Sequence, residues 1–151
     1  MPDSAPAHET RRAGNIGVPV GCLVILACFF LPWLTLDGAS AMELSSDRQK
    51  AEAAFGYLRL HHRMPIMVTR GLYMIPLLAL STLMLDFAIA PGHVARAAAR
   101  FGILASGAAL AIFFIHTGVS FGPQLSYGFW ASLTGSLFIA VGVLFNVARN
   151  E

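Results

Sequence analysis

Four long stretches of apolar residues with almost no charge are the feature that most constrains this chain. Each is close to the length of about 20 residues that a helix needs to cross the hydrocarbon core of a bilayer. They cover residues 16–36, 71–90, 101–121 and 129–148. Only 12% of the 151 residues are charged, against about 25% in soluble domains. We therefore predict an all-α integral membrane protein, a four-helix bundle in one domain over residues 1–151.

A long polar segment, residues 37–70, separates the first predicted span from the second. Within this outer segment, residues of about 46–64 are expected to form an amphipathic helix, capped by Ser45 or Ser46. Pro65 is expected to end that helix. Its apolar face is formed by Ala51, Ala54, Phe55, Leu58 and His62. Such a helix lies on the membrane surface or packs over the mouth of the bundle.

The first predicted span also has features of a secretory signal peptide. Arg11 and Arg12 precede it, and the sequence Ala-Ser-Ala at 39–41 resembles a cleavage site. Its apolar run is longer than the core of about 7–15 residues in a signal peptide. We therefore interpret it as a retained transmembrane helix that follows a polar tail at residues 1–15. Pro32 is expected to kink or terminate its last turns.

Basic and aromatic residues predict the orientation in the membrane. Four spans place both termini on one side, and each side then carries five Lys or Arg residues. On the side of the termini, the five basic residues lie in shorter polar segments. Basic residues concentrated in short segments favour the cytoplasmic side. We predict cytoplasmic termini in a bacterial cytoplasmic membrane. The aromatic belt expected at the opposite interface consists of Trp33, Tyr73, Tyr127 and Trp130.

Small residues recur at helical spacing within three of the predicted spans. Helices in lipid associate by close packing of such residues rather than by hydrophobic expulsion. These faces are used either within the bundle or for lateral association with a second copy or a larger membrane complex. The predicted packing positions are Gly17, Gly21, Gly102, Ser106, Gly107, Ala111, Ser132, Ser136 and Ala140.

Asp86 is the one carboxylate inside a predicted span. An unpaired charge in lipid costs on the order of 3 kcal/mol, so a partner is expected. Taking His93 as the apex of a hairpin places Asp86 and Arg100 at the same height. Arg96 lies one turn away on the helix face of Arg100. We predict a structural ion pair with Arg100 or Arg96. The alternatives are the acid of a proton or ion relay and an interfacial carboxylate without a dedicated partner.

Two groups of side chains are candidate ligands for a metal or cofactor. His116 lies near the outer end of the third span, and a single His can ligate a tetrapyrrole axially. Imidazole and thioether groups also suit copper, and the outer segment supplies His61, His62, Met64 and Met67. The alternative is that the histidine hydrogen-bonds a neighbouring helix or loop and the methionines are apolar filler.

The layout resembles that of claudin-like small four-helix membrane proteins. Trp33 near the start of the outer segment and Arg70 before the second span stand where those proteins carry a Trp and an Arg. The outer segment differs in having no cysteine, whereas that family carries a cysteine pair and a W-G-L-W type motif. The resemblance implies a four-helix layout and lateral association in the membrane.

No motif of a known catalytic site is found, since G-x-S-x-G, H-E-x-x-H, P-loop and C-x-x-C-H patterns are all absent from the sequence. We predict a non-enzymatic accessory or scaffolding subunit that needs no cofactor. It would associate in the bilayer with itself or a larger complex, and not with nucleic acid. The alternatives are a small binder of copper or a tetrapyrrole at the outer face, and a small transporter or channel with Asp86 as its coupling acid.

Overall fold

The computed structural model describes residues 16–61, 63–87 and 93–148. Within these residues the chain is helical apart from turns and two isolated β-bridges, which confirms the all-helical class. Two 3-10 turns, Arg70–Tyr73 and Gly122–Gln124, join helices. The α-helices are α1 (Gly17–Cys28), α2 (Ala41–Ser46), α3 (Arg48–Tyr57), α4 (Pro65–Thr69), α5 (Met74–Phe87), α6 (His93–Phe121) and α7 (Tyr127–Ala148).

Three helical stretches are long and apolar enough to cross a membrane. They are Pro65–Phe87, which joins α4, the first 3-10 turn and α5, then Ala95–Gln124 and Tyr127–Phe145. These three stretches support the predicted class of membrane protein. Helix α1 has only 12 residues, about 18 Å at the usual rise per residue, and does not by itself match the hydrocarbon thickness. The four predicted spans therefore stay a prediction.

The first helix ends at Cys28, four residues before Pro32, which confirms that the last turns of the first apolar stretch terminate near this proline. The amides of Phe30 and Leu31 donate to Ala27 and Cys28, which tightens the last turn. Pro32 has no amide hydrogen with which to continue the helix. The chain instead becomes extended and forms an isolated bridge with Ser40.

The outer segment forms two helices where one was predicted. Asp47 accepts hydrogen bonds at the start of α3, so the expected cap at Ser45 or Ser46 is wrong. Pro65 begins α4 rather than ending the preceding helix, which already stops at Tyr57. The predicted apolar face is confirmed at Ala51, Ala54 and Phe55, which are buried, and at the half-buried Leu58; His62 lies outside the described residues.

Helices α1 and α7 pack at backbone contact through glycines. A Cβ atom added to Gly21 would lie 2.5 Å from the carbonyl oxygen of Gly135. One added to Gly17 would lie 3.2 Å from the Cα of Gly142. These glycines let the two backbones approach more closely than any larger side chain would allow. The predicted packing face of α1 therefore serves the bundle itself.

The other predicted packing positions lie mainly on the same inner surfaces. Ser132 and Ser136 of α7 are fully buried, and Ala111 of α6 is buried. A Cβ atom added to Gly107 would lie 2.7 Å from a methyl carbon of Ile139. The remaining three positions are half-buried: Gly102, Ser106 and Ala140.

Candidate functional site: an apolar cavity beneath the cap

Residues 29–61 and 63–73, here called the cap, lie over the end of the bundle where α6 ends and α7 begins. Its first part reverses direction at Asp37 and Gly38, whose φ angles are 53° and 63°. Two consecutive left-handed residues, with Gly second, are typical of a type I′ hairpin turn. The turn brings Ser40 back beside Pro32. We call the opposite end of the bundle, where α5 ends and α6 begins, the hairpin end.

Backbone hydrogen bonds join the cap to the connection between α6 and α7. The amide of Ser126 donates to the carbonyl of Trp33 at 2.8 Å, and the amide of Gly128 donates to Pro32 at 2.9 Å. The amide of Thr35 donates to Gln124 at 3.0 Å. Irregular backbone near a membrane must find its partners within the protein. These bonds meet that requirement for the start of the cap.

Trp33 fixes the cap against the bundle. Its indole Nε1 donates to the carbonyl of Cys28 at 2.8 Å, which adds a second hydrogen bond to a carbonyl that already accepts from the amide of Leu31. Its ring meets Phe114 and Phe129 edge-on, with centroids 5.6 Å away in both cases. Only 4% of Trp33 is exposed. The residue thus closes the inner wall of the cap.

Polar contacts hold α2 and α3 in place. Ser40 and Glu43 form a capping box at the start of α2, and Lys50 of α3 forms a salt bridge with the same Glu43 carboxylate. The hydrogen bond from Lys50, followed by that from the Ser40 amide, lowers the pKa of Glu43 to about 2. Two short helices are thereby joined through one carboxylate.

Helix α3 ends in a Schellman motif with an arginine at its left-handed position. The amide of Leu60 donates to Phe55 at 2.8 Å and the amide of Arg59 donates to Gly56 at 3.1 Å. Arg59 has a φ of 54°, at the position where helices usually place glycine. A left-handed conformation costs a residue with a side chain roughly 1–2 kcal/mol. The motif also turns Leu60 back toward Phe55, and both residues line the cavity described next.

A cavity of ≈ 460 Å³ lies beneath the cap, between the cap-end halves of α5 and α6. Helix α3 and the 29–40 segment close it from above, while α5 and α6 form its sides. Its volume lies in the range of about 300–1,000 Å³ that is usual for ligand pockets. Its walls are mainly aromatic and branched aliphatic side chains, represented by Trp33, Phe55, Ile75, Leu78, Leu110 and Phe113.

Only two hydroxyl side chains line this cavity among the described residues. They are Thr69 and Thr117. The hydroxyl of Thr69 already donates to the carbonyls of Pro65 and Ile66, both at 3.2 Å. The described lining includes no carboxylate, imidazole or thiol that could act as acid, base or nucleophile. This lining is suited to holding an apolar chain and not to polar chemistry.

The predicted ion pair lies at the hairpin end, far along the bundle from the cavity. Asp86 is half-buried in the last turn of α5, and Arg96 and Arg100 are exposed in the first turns of α6. Residues 88–92, which join the two helices, lie outside the described residues. The pairing of Asp86 with Arg100 or Arg96 stays a prediction.

The residues proposed as metal or cofactor ligands are mostly exposed. His61, Met64, Met67 and His116 all have exposed side chains, and His62 lies outside the described residues. In the described ranges, no three His, Cys, Asp or Glu side chains form a group that could hold a metal ion. Copper or tetrapyrrole binding by these residues stays a prediction.

Three of the four residues of the predicted aromatic belt are exposed and the fourth is buried. Tyr73, Tyr127 and Trp130 are exposed at the cap end of the bundle, as residues at a membrane interface are expected to be. Trp33 is enclosed by protein instead, and its polar atom bonds to the backbone. A Cβ atom added to Gly118 would lie 3.1 Å from the ring of Trp130. The glycine at position 118 therefore leaves room for this ring.

Sequence reasoning did not identify the cavity. The Asp37-Gly38 pair was an available signal for the hairpin that folds the cap back. The spacing of residues predicts the apolar face of α3, but it does not show which helices leave a gap beneath that face. Comparison with family models, with curated proteins and with solved structures found no match for this chain.

Proposed function

We propose that this chain is a non-enzymatic integral membrane protein that binds one apolar chain, such as the acyl chain of a lipid, in the cavity beneath the cap. The cavity itself carries the proposal, since it is of ligand size and lined by apolar side chains. The apolar walls offer dispersion contacts to an acyl chain, and such a chain needs no polar partner inside the cavity.

The position of the cavity supports a ligand that arrives from the membrane. Met74 of α5 and Phe113 of α6 line the cavity and are also exposed on the outside of the bundle. In a bilayer, that outside surface faces lipid. A chain from the surrounding lipid therefore has a short path between α5 and α6 into the cavity.

We propose in addition that the chain crosses the membrane four times, with cytoplasmic termini and the outer segment, residues 37–70, on the opposite side. Helix α1 supplies most of the first crossing, and residues 29–36 complete it without a regular helix. The hydrogen bonds of this segment to Gln124, Ser126 and Gly128 support the proposal, because non-helical backbone at membrane depth is tolerated when it is buried in protein.

An accessory role toward a larger membrane complex stays a prediction. The glycine faces of α1 and α7 pack against each other, so a partner would bind to the cap or to another exposed surface.

Two matched variants test the binding of a chain. Ala109 lines the cavity from α6, and Ala105 is exposed one turn away outside the lining. Native mass spectrometry of protein released from gentle detergent should show one bound lipid or fatty acid. Ala109→Phe should reduce that bound fraction about tenfold, the change produced by roughly 1.4 kcal/mol. Ala105→Phe should leave it unchanged. Equal lipid content in the wild type and both variants would contradict the proposal.

A further inference from the structure

Charged residues are divided between the two halves of the cap. Residues 37–52 contain four acidic and two basic side chains. Residues 53–70 contain three arginines and no acidic side chain, namely Arg59, Arg63 and Arg70. The second half of the cap is therefore strongly cationic.

Three of the four acidic side chains have partners within the first half of the cap. Glu43 forms a salt bridge with Lys50, and Glu52 forms one with Arg48 at 2.7 Å. Asp47 accepts hydrogen bonds from backbone amides at the start of α3. Among the described residues, no salt bridge includes any of the three arginines, and all three are exposed. These arginines therefore present positive charge on the surface of the cap.

Two of these arginines are chain neighbours of residues that line the cavity. Arg59 lies between Leu58 and Leu60, which both line the cavity. Arg70 likewise lies between the lining residues Thr69 and Gly71. An apolar cavity with exposed arginines next to its lining residues is complementary to a molecule with an apolar chain and an anionic head.

The backbone of Arg59 adds a further argument. Its left-handed conformation would be adopted more easily by glycine. A residue held in an unfavourable conformation points to a role of its side chain. The guanidinium group supplies such a role, since it binds carboxylate and phosphate groups with two parallel hydrogen bonds.

We infer that the ligand of the cavity is a single-chain amphiphile with an anionic head group, and that Arg59 and Arg70 bind that head. This inference rests on the proposed function and names its ligand class. The head group is a carboxylate or a phosphate, because an arginine fork recognises both.

Fluorescence quenching tests the inference in the full chain. The protein has two tryptophans, so Trp130→Phe leaves only Trp33, which lines the cavity. This variant is placed in nanodiscs of phosphatidylcholine and titrated with dibromostearate, its methyl ester, or a brominated lysophosphatidate. Bromine quenches a tryptophan that it contacts, so each titration measures entry of that chain into the cavity.

The charged probes should quench Trp33 at about tenfold lower concentration than the methyl ester, as expected for one charge-assisted hydrogen bond. Arg59→Gly and Arg70→Gln should each remove most of that difference. Arg48→Gln, which removes a cation from the first half of the cap, should leave the difference intact. If one of the two charged probes quenches Trp33 at a lower concentration than the other, the result would support the inference. It would also identify the head group as a carboxylate or a phosphate.

Two outcomes separate the inference from the proposed function. Equal quenching by dibromostearate, the lysophosphatidate and the methyl ester would overturn the anionic head group while the binding of an apolar chain stands. No quenching of Trp33 by any probe would overturn both. Because Arg59→Gly favours the backbone geometry of its position, weakened binding in that variant cannot be ascribed to misfolding if its thermal unfolding is unchanged or raised.

Discussion

The contact between α1 and α7 and the contact between α5 and α6 solve the packing of membrane helices in different ways. In the first, Gly21 and Gly135 bring two backbones together, so no space remains between the helices. In the second, the helices approach at the hairpin end, where Gly102 faces Leu85, and leave the cavity between them at the cap end. The closed pair leaves no room for a ligand, and the open pair contains the cavity in which we propose that a ligand binds.

Substitution of a glycine in the closed pair is expected to have the largest effect. In Gly21→Ala the new methyl group would lie 2.5 Å from a backbone oxygen, so the helices must separate. We expect a loss of about 1–3 kcal/mol in the free energy of unfolding, as in other overpacked cores. Thermal unfolding in detergent would measure it.

Gly56→Ala is the matched control, because nothing lies within 4 Å of a Cβ atom added there. A glycine within a helix costs about 0.5–1 kcal/mol relative to alanine, so this variant should be neutral or more stable. If Gly21→Ala were as stable as Gly56→Ala, the close contact of α1 and α7 would not stabilise the molecule.

Trp33 joins the two regions, since it caps α1 and lines the cavity. Trp33→Phe keeps an aromatic ring but removes the indole hydrogen bond to the carbonyl of Cys28, which still accepts from the amide of Leu31. We expect a destabilisation of about 0.5–1.5 kcal/mol, the net contribution of one hydrogen bond. Trp130→Phe replaces an exposed indole and serves as the control in the same unfolding experiment. Equal midpoints for the two variants would contradict the role of Trp33 in closing the cap.

Acidification should weaken the cap before it affects the closed helix pair. The pKa of Glu43 is lowered from 4.5 to about 2 in the folded protein. The stabilisation that Glu43 provides is therefore complete above its ordinary pKa and is lost as the pH falls toward 2. The effect should be small, because the salt bridge is partly exposed.

Glu43→Gln tests this by thermal unfolding between pH 5 and pH 2, a range set by the ordinary and lowered pKa values. The variant should lose part of the pH dependence shown by the wild type. An unchanged pH dependence would show that the Glu43 carboxylate does not help to hold α2 and α3 together.

The sequence predicts the helical class because hydropathy reports which segments avoid water. It also predicts that the face with Ala51, Ala54 and Phe55 is buried. The sequence does not show that the helical part of the first apolar stretch ends before Phe29. Residues 29–36 remain apolar although their backbone bonds to a distant loop, and hydropathy contains no information about such partners.

The candidate site was less predictable than the fold. Trp33 fits an aromatic belt by its position, and only the fold shows that its indole bonds to Cys28. The glycine spacing indicates close packing but does not name the partner helix. Arg59 looks like an ordinary surface charge until its left-handed backbone and its neighbours in the cavity wall are known.

The most direct test of the central claim compares the two tryptophans in one membrane. The Trp130→Phe and Trp33→Phe variants are each placed in bilayers of phosphatidylcholine with brominated or unmodified acyl chains. Trp130 is exposed at the cap end and should be quenched by the surrounding lipid. Trp33 is only 4% exposed, so its quenching requires a chain inside the cavity. We predict that brominated lipid quenches both. Quenching of Trp130 with unchanged emission from Trp33 would show that no lipid chain enters the cavity.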